Sequence, residues 1–424
     1  MSLKTAIQSK MPAATGAYHF VLAWLGAKVH KHPSEEIFVI GITGTKGKTT
    51  TVELLNAILE AAGKKTAILS SLRMKIGDTT QKNRTGNSMP GRGYIQRFLH
   101  QARESGCSYA IIEVTSQGVV LHRHRFIDWN MAVLTNLSPE HIESHGSFEN
   151  YRAAKLSFLQ YTLKKGGKVF LNSDDKNFDF FAEALAHANE KKIEVSAGDP
   201  WIHDRIARSA PAASIEGESA PKFFLSKFNE ENIAMAAGIA RELGIGEQFI
   251  ETALGNFEGV PGRMEFVTAR HYLGIVDYAH TPDSLEAAYQ AARSLFQNDD
   301  GKLVCVLGAA GGGRDKWKRP EFGKMAAHYC DEVILTDEDP YDEDPEKIIG
   351  EIAGGIAQMP YPRPNPLIIQ DRKEALAKAV DLLNDNDILI ATGKGSEESI
   401  HIAGGKKIAW NEKEILQELL QRKR

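Results

Sequence analysis

The stretch that decides the fold is Ile37-Phe38-Val39-Ile40-Gly41-Ile42, followed after Thr43 by Gly44-Thr45-Lys46-Gly47-Lys48-Thr49-Thr50 and a helical pattern from Lys48 to Ala62. A short, β-branched apolar run reads as a strand buried on both faces. A glycine-rich turn between such a strand and a helix brings backbone N–H groups to the helix start, where phosphate oxygens bind. Gly44 and Gly47 allow close backbone approach, Lys48 adds positive charge, and the hydroxyl of Thr49 or Thr50 is a Mg²⁺ ligand type. A tight turn with an incidental lysine would look similar, but the strand before and the helix after favour phosphate. The spacing is not the strict Walker pattern: the position five before Lys48 is Thr43 rather than glycine. That argues against ordinary kinases and GTPases.

Outward from this turn the alternation continues. Apolar runs recur at Thr66–Leu69, Tyr109–Val114, Met131–Thr135 and Lys168–Leu171, which predicts a mainly parallel sheet covered by helices. Pro200–Ser226, rich in Ala, Ser, Pro and Gly, reads as hairpins and loops at a sheet edge, and helices over Glu230–Leu243 and Gly246–Leu254 close the unit. Turn residues cluster at Glu258–Gly262. A second series follows at Tyr272–Asp277, Leu303–Leu307, Glu332–Leu335, Leu367–Ile369 and Asp387–Ala391, with helical patterns at 283–297, 320–329, 345–358 and 372–384. The expected class is α/β: a central P-loop-type sheet domain over 37–260, then a Rossmann-like doubly wound domain over 261–424. Before them, 1–36 forms a short helical segment. Its stretch Ala17–Lys28 is amphipathic and reads as a helix docked on the next domain, with a membrane surface as the other resting place for its aromatic face.

Composition narrows the function classes. The chain has 424 residues, with 51 Lys and Arg against 55 Asp and Glu and a net charge of −4, so no global field attracts nucleic acid. No apolar run reaches the roughly 20 residues of a membrane span, and no secretion signal opens the chain. Cys107, Cys305 and Cys330 lack metal or redox spacing and sit in or beside apolar segments, as buried thiols do. A monomeric cytoplasmic protein is expected.

Acidic groups at strand ends are often solvated, but beside a phosphate loop they become metal-ligand candidates. Glu113 ends one strand, before Thr115-Ser116, while Glu140-His141 and Glu143 follow another. In the second series Asp277 leaves a strand ahead of Tyr278-Ala279-His280-Thr281-Pro282, where Pro282 and Asp283 begin a helix. Gly311-Gly-Gly-Arg314-Asp315-Lys316 offers cations to an anionic substrate.

Taken in order, nine motifs resemble the Mur ligase family, and within it the UDP-N-acetylmuramoyl-tripeptide synthetase type. They are the glycine-rich loop, Glu113-Val-Thr-Ser, Thr135-Asn-Leu-Ser-Pro-Glu-His141, Tyr151-Arg-Ala-Ala-Lys155, Asn172-Ser-Asp-Asp175, Gly262-Arg-Met-Glu265, Asp277-Tyr-Ala-His-Thr-Pro282, Arg314-Asp-Lys-Trp-Lys-Arg-Pro320 and Gly393-Lys-Gly395. The resemblance implies an ATP- and Mg²⁺-dependent ligase that phosphorylates a peptide carboxylate and lets an amino acid's amine attack the acyl phosphate. Its substrates would be a cell-wall peptide precursor and a free amino acid. By the same resemblance Lys48 contacts the β- and γ-phosphates, Thr50, Glu113 and His141 serve the metal, and Lys155 matches a lysine that the family carbamylates to hold a second metal. Asn232 reads adenine; Arg263, Asp277 and the neighbouring His280 reach the nucleotide from the C-terminal domain, which requires closure.

Departures bear on the substrate. Lys46 replaces the family's asparagine, Gln117 its histidine, and Glu140 its aspartate. Only 36 residues precede the central domain, fewer than the family's uridine-diphosphate-binding domain, which weakens the case for ordinary UDP-muramoyl binding. Among muramoyl-peptide contacts Thr85, Thr115 and Arg123 match and Leu121 replaces glutamine. Where diaminopimelate enzymes carry Asp-Asn-Pro-Arg, this chain reads Asp337-Glu338-Asp339-Pro340-Tyr341. Losing the arginine disfavours a distal carboxylate, while the acidic run from Asp337 favours a cationic side chain. Glu397, beyond Gly393, is placed to hold an amino group. Competing readings are a ligase on another peptide or poly-acid, of the cyanophycin or pseudomurein kind, and a non-catalytic nucleotide-binding subunit of a cell-wall complex.

Overall fold

The computed structural model describes residues 12–85, 87–91, 93–140, 142–209, 226–296, 300–313, 316–360 and 364–423. They divide into two compact units, one running to Ser209 and resuming over Phe228–Phe257, the other beginning at Glu258.

The first unit opens with helix α1 (Pro12–Val29) and is built on an eight-stranded sheet of order β4-β3-β2-β5-β1-β6-β7-β8. These strands are β1 (Phe38–Thr43), β2 (Thr66–Leu69), β3 (Arg73–Ile76), β4 (Thr79–Lys82), β5 (Tyr109–Glu113), β6 (Met131–Leu134), β7 (Lys168–Asn172) and β8 (Lys192–Val195). β2, β5, β1, β6, β7 and β8 run parallel; the β3 and β4 hairpin is antiparallel. Strand β1 is central, so Val39 and Ile40 on its opposite faces are both fully buried. Helix α2 (Lys48–Ala61) packs on β1, β2 and β5, while α3 (Tyr94–Glu104) and α6 (Phe148–Lys164) join the core of the other face through Phe98, Leu99, Phe158 and Leu159. Between them lie α4 (Ser116–Val120) and α5 (Ile142–His145). The unit ends with α7 (Phe178–Ala184), α8 (Pro200–Ser209), α9 (Lys227–Glu242) and α10 (Glu247–Asn256).

The second unit has a six-stranded sheet of order β13-β12-β11-β14-β10-β9. Its strands are β9 (Glu265–Ala269), β10 (Tyr272–Asp277), β11 (Leu303–Leu307), β12 (Glu332–Leu335), β13 (Leu367–Ile368) and β14 (Ile388–Thr392), parallel except for β9. Helices α11 (Pro282–Arg293), α12 (Lys318–Tyr329) and α13 (Pro345–Ala357) pack in series, and α14 (Arg372–Leu382) and α15 (Glu412–Arg422) join the core over β10, β11 and β14. A small hairpin, β15 (Ser399–Ile402) with β16 (Lys406–Ala409), precedes α15. The α/β class with two sheet domains therefore holds.

Two expectations are corrected. Pro200–Ser209 is a helix, because Ile202 and Arg205 recur at helical spacing and Arg205 meets Glu247 and Glu251 of α10; residues 210–225 lie outside the described set. Cys305 and Cys330 are not separate thiols. β11 pairs with β12, and Cys330 lies just before β12, which brings the two Cα atoms to 6.1 Å and joins them in a disulfide; Cys107 stays free and buried. The expectation of a cytoplasmic protein, as far as it rested on three free thiols, loses that support.

Gly41 tests the packing of the first core. A Cβ there would lie 2.5 Å from Phe158 and 2.8 Å from Trp129, closer than carbon atoms approach. Gly41→Ala should therefore destabilise the first unit by about 1–3 kcal/mol in urea unfolding. A variant as stable as the parent would mean that the two rings can move aside freely.

Candidate active site

β1 delivers the chain to a turn pinned by neighbouring elements. Asn136, just past β6, accepts from Lys46 N through its side chain at 2.8 Å and from Thr45 N through its carbonyl at 3.0 Å. Thr135 Oγ1 donates to Lys46 O at 2.6 Å, and Ser138 N donates to Thr45 Oγ1 at 3.0 Å. Tyr151 of α6 shares a 2.9 Å hydrogen bond with the same hydroxyl. The glycines are sterically required: a Cβ on Gly44 would lie 1.9 Å from Thr135 Oγ1, and one on Gly47 2.1 Å from Asn232 Oδ1. Gly47, at φ 77°, is the N-cap of α2, and no side chain caps that helix. A helix start of this kind is the donor set that anions take up.

Two lysines converge on this turn. Lys48 Nζ donates to Gly44 O at 2.9 Å and to Thr45 O at 2.8 Å; Lys155 Nζ donates to Gly44 O at 2.8 Å and stands 4.7 Å from the Tyr151 ring centre. Lys155 is fully buried. That burial, reinforced by the charge of Lys48 and opposed by Glu140, holds its pKa well below the ordinary lysine range and favours the neutral amine.

Glu113, at the carboxyl end of β5, is 1% exposed and accepts from Thr49 Oγ1 at 2.6 Å and Ser71 Oγ at 3.4 Å. Thr50 is buried as well, yet it is Thr49 whose hydroxyl meets the carboxylate. A buried carboxylate, a loop hydroxyl and an uncapped helix terminus are a donor set that fits a metal-bound nucleotide. Among the described residues no group of three or more His, Cys, Asp or Glu is placed to hold a metal alone. His141 lies outside the described residues. Asn232, on α9, is buried against Gly47 and accepts from Thr51 Oγ1 at 3.3 Å.

The acceptor candidates of this unit meet around Met89. Arg123 Nη1 donates to Met89 O at 2.6 Å, Thr115 caps α4 by accepting from Gly118 N at 3.0 Å, and Gly118 packs on the Met89 sulfur. Thr85 bonds Asn83 Oδ1 at 2.6 Å in the same exposed turn that leads to Met89. Arg123 Nε is buried without a hydrogen-bond partner among the described residues, and desolvation lowers the guanidinium pKa. That is costly unless an anion arrives.

In the second unit the candidates gather where β10, β12 and β14 end. Asp277 accepts from Met264 N and Ala279 N, both at 2.7 Å; burial raises its pKa against the opposing pull of Arg263. The Arg263 guanidinium lies 4.0 Å from the Tyr278 ring centre, and His280 Nδ1 is 2.8 Å from Tyr278 O. Lys394, fully buried, donates to Asp339 at 2.9 Å and to Glu397 at 2.6 Å, while Tyr278 OH donates to Glu397 at 3.0 Å. Gly393 leaves room for Glu338, since a Cβ would lie 2.4 Å from its carboxylate. Asp337 is not in this group: its side chain faces Gln370. Arg314 lies outside the described residues.

Sequence reasoning missed Asn136 and Tyr151 as supports of the turn, and Lys394 and Tyr278 as partners of Glu397. A signal existed for Lys394, a lysine between two glycines at a strand end.

Comparison with known proteins fits this geometry. The Mur ligase middle domain matches residues 42–240, and the Mur ligase glutamate ligase domain matches 262–395. The UDP-N-acetylmuramoyl-L-alanyl-D-glutamate–2,6-diaminopimelate ligase of Syntrophomonas wolfei is 34% identical over 420 residues, covering 95% of this chain and 82% of the relative. The UDP-N-acetylmuramyl-tripeptide synthetase of a Roseiflexus species is 34% identical over 416 residues, covering 92% and 80%. A solved structure of a UDP-N-acetylmuramoyl-L-alanyl-D-glutamate–2,6-diaminopimelate ligase superposes with a TM-score of 0.59 at 25% identity, covering 91% of this chain and 78% of that one. With both domains matched in order and a third of residues shared along nearly its whole length, the chain belongs to the Mur ligase family of ATP-dependent amide ligases.

Proposed function

We propose that this protein uses ATP to join an amino acid to the terminal carboxylate of a UDP-N-acetylmuramoyl-peptide-like acceptor in cytoplasmic peptidoglycan synthesis. The observation that carries the reading is the convergence of Lys48 and Lys155 on the Gly44 carbonyl beside an uncapped helix start. The Lys48 ammonium beside a helix start that no side chain caps suits a polyanion.

The acceptor carboxylate attacks the γ-phosphorus as the bond to the β-phosphate oxygen breaks and ADP departs. The amine then attacks the carbonyl carbon, loses a proton, and phosphate leaves to give the amide. Lys48 and the α2 N–H groups offset charge on the transferring phosphoryl group; Arg123, with Thr85 and Thr115, orients the acceptor. Mg²⁺ would be held by Glu113 with a loop threonine and His141, and would neutralise phosphate charge. Lys155 is suited to carbamylation, because only a neutral amine adds CO₂, and the carbamate converts a buried amine into a metal-binding carboxylate. In the second unit, Asp339 and Glu397 around Lys394 form the acidic surround for the incoming amino acid's amines.

Two measurements test the reading. Phosphate release should require acceptor and amine together; nucleotide binding without turnover under every pairing would sink it. Lys155→Ala should lower turnover by on the order of 10²-fold or more, and added formate or acetate should restore part of it. Absence of rescue would remove the carbamate and leave Lys155 as a support of Gly44.

The amino acid is chosen by a residue that differs from the diaminopimelate pattern. Tyr341 follows Pro340 where an arginine would pair a distal carboxylate; it adopts φ 52° and its ring centre lies 5.0 Å from that of His401. Lysine should therefore be preferred over diaminopimelate, and Tyr341→Arg should shift the kcat/KM ratio toward diaminopimelate by about tenfold to a hundredfold. An unchanged ratio would place the selection elsewhere.

A further inference from the structure

Helix α1 is apolar on the side it turns to solvent. Its inner face is committed to the first unit: Ala27 is fully buried, and Gly26 packs so closely that a Cβ would lie 2.9 Å from Gly93 Cα. The outer face presents Tyr18, Phe20, Val21, Trp24, Leu25 and Val29, each between 43% and 72% exposed. These are six of the eleven exposed large apolar side chains among the described residues. At helical spacing they cover about half of the circumference. An apolar surface this concentrated marks a binding face rather than scattered surface residues.

Charge identifies the occupant. Residues 1–34 contain Lys4, Lys10, Lys28 and Lys31 with His19, His30 and His32, and neither Asp nor Glu. Lys28 lies within the exposed face and Lys31 just beyond it, both exposed. Glu35 and Glu36 follow, Glu36 paired with Arg103, but α1 itself carries no carboxylate, so a second copy laid on this face would bring Lys28 with none on the helix to meet it. Anionic headgroups satisfy the cations while the interface takes up Trp24, Tyr18 and Phe20, residue types that sit at the headgroup level. No helix among the described residues is long and apolar enough to cross a membrane, so α1 would lie in the interface plane.

We propose that α1 docks this protein on the surface of an anionic lipid bilayer through Tyr18, Phe20, Val21, Trp24, Leu25 and Val29, with Lys28 and Lys31 on the headgroups. The docking is independent of the ligase reaction, so the two can fail separately. The test is flotation of the full chain with vesicles of equal phosphatidylglycerol and phosphatidylcholine, against vesicles of phosphatidylcholine alone. Binding should be at least about tenfold tighter to the anionic vesicles and weaken at high salt. Trp24→Glu with Leu25→Glu should abolish it while leaving nucleotide binding and the far-ultraviolet dichroism unchanged. Lys28→Glu with Lys31→Glu, which keeps the apolar face, should remove the anionic preference. No flotation with either vesicle would overturn the proposal, as would a dimer in light scattering that the Trp24 and Leu25 pair dissolves while vesicles bind neither form.

Discussion

The carbonyl oxygen of Gly44 is the point on which the first unit depends. Lys48 and Lys155 both donate to it, from α2 and α6, on opposite sides of β1. One oxygen dipole cannot offset two ammonium charges, and Lys155 is fully buried. Burial and the charge of Lys48 accordingly hold the Lys155 pKa well below the ordinary lysine range. Everything around the turn follows from holding this arrangement still: Asn136 and Thr135 fix Lys46, Tyr151 fixes Thr45, and two glycines admit Thr135 and Asn232 at distances no side chain would allow. The result is a preorganised cationic turn, whose donors need not reorganise when a phosphate arrives.

The second unit presents the opposite charge problem. Glu338, Asp339 and Glu397 surround one buried lysine, so acid exceeds base where β12 and β14 end. Burial pushes the Glu338 carboxyl pKa up, against the pull of Lys394, Arg372 and His280. An arriving cation would relieve that cost. The buried pair of Arg372 with Glu412, closed on both sides to solvent, ties α14 to α15 beneath this group and fixes the carbonyl of Asp337 and that of Thr392. The framework under the acids is therefore rigid while the acids themselves remain incompletely paired.

Most of this was legible in the sequence because it rests on backbone patterns. Central strands such as β1 and β10 are continuous apolar runs, and the turn at Gly44 announces itself through glycines and a lysine at a helix start. Short polar strands gave no such signal: β4 is wholly exposed and β16 likewise, so the period-2 alternation of a half-buried strand is absent. Pro200–Ser209 was misread by weighing composition over the spacing of Ile202 and Arg205. The Cys305–Cys330 pairing was invisible because cysteine spacing carries no register, and only the pairing of β11 with β12 brings the two together. Lys394 was overlooked although Glu397 lies three residues on, because its other partner, Asp339, is 55 residues away and is brought beside it only by the sheet.

The same distinction explains why family membership fixes the reaction more firmly than the substrate. The turn proposed to bind phosphate is specified by backbone geometry and steric limits: replacing Gly44 or Gly47 collides with close neighbours, so the solution tolerates few alternatives. Selection of an amino-acid side chain, as proposed, depends on what Tyr341 presents at the end of a supported loop. Asp339 anchors that loop by accepting from His401 N at 2.8 Å and from Lys394, and Asp342 accepts from Gly404 N at 2.8 Å. With the loop held at both sides, Tyr341 can differ from an arginine without disturbing the fold. Bidentate pairing of a carboxylate needs the planar guanidinium fork, which a phenol lacks. On the proposed reading, a relative that shares a third of its residues can keep the glycine turn and still prefer a different amine.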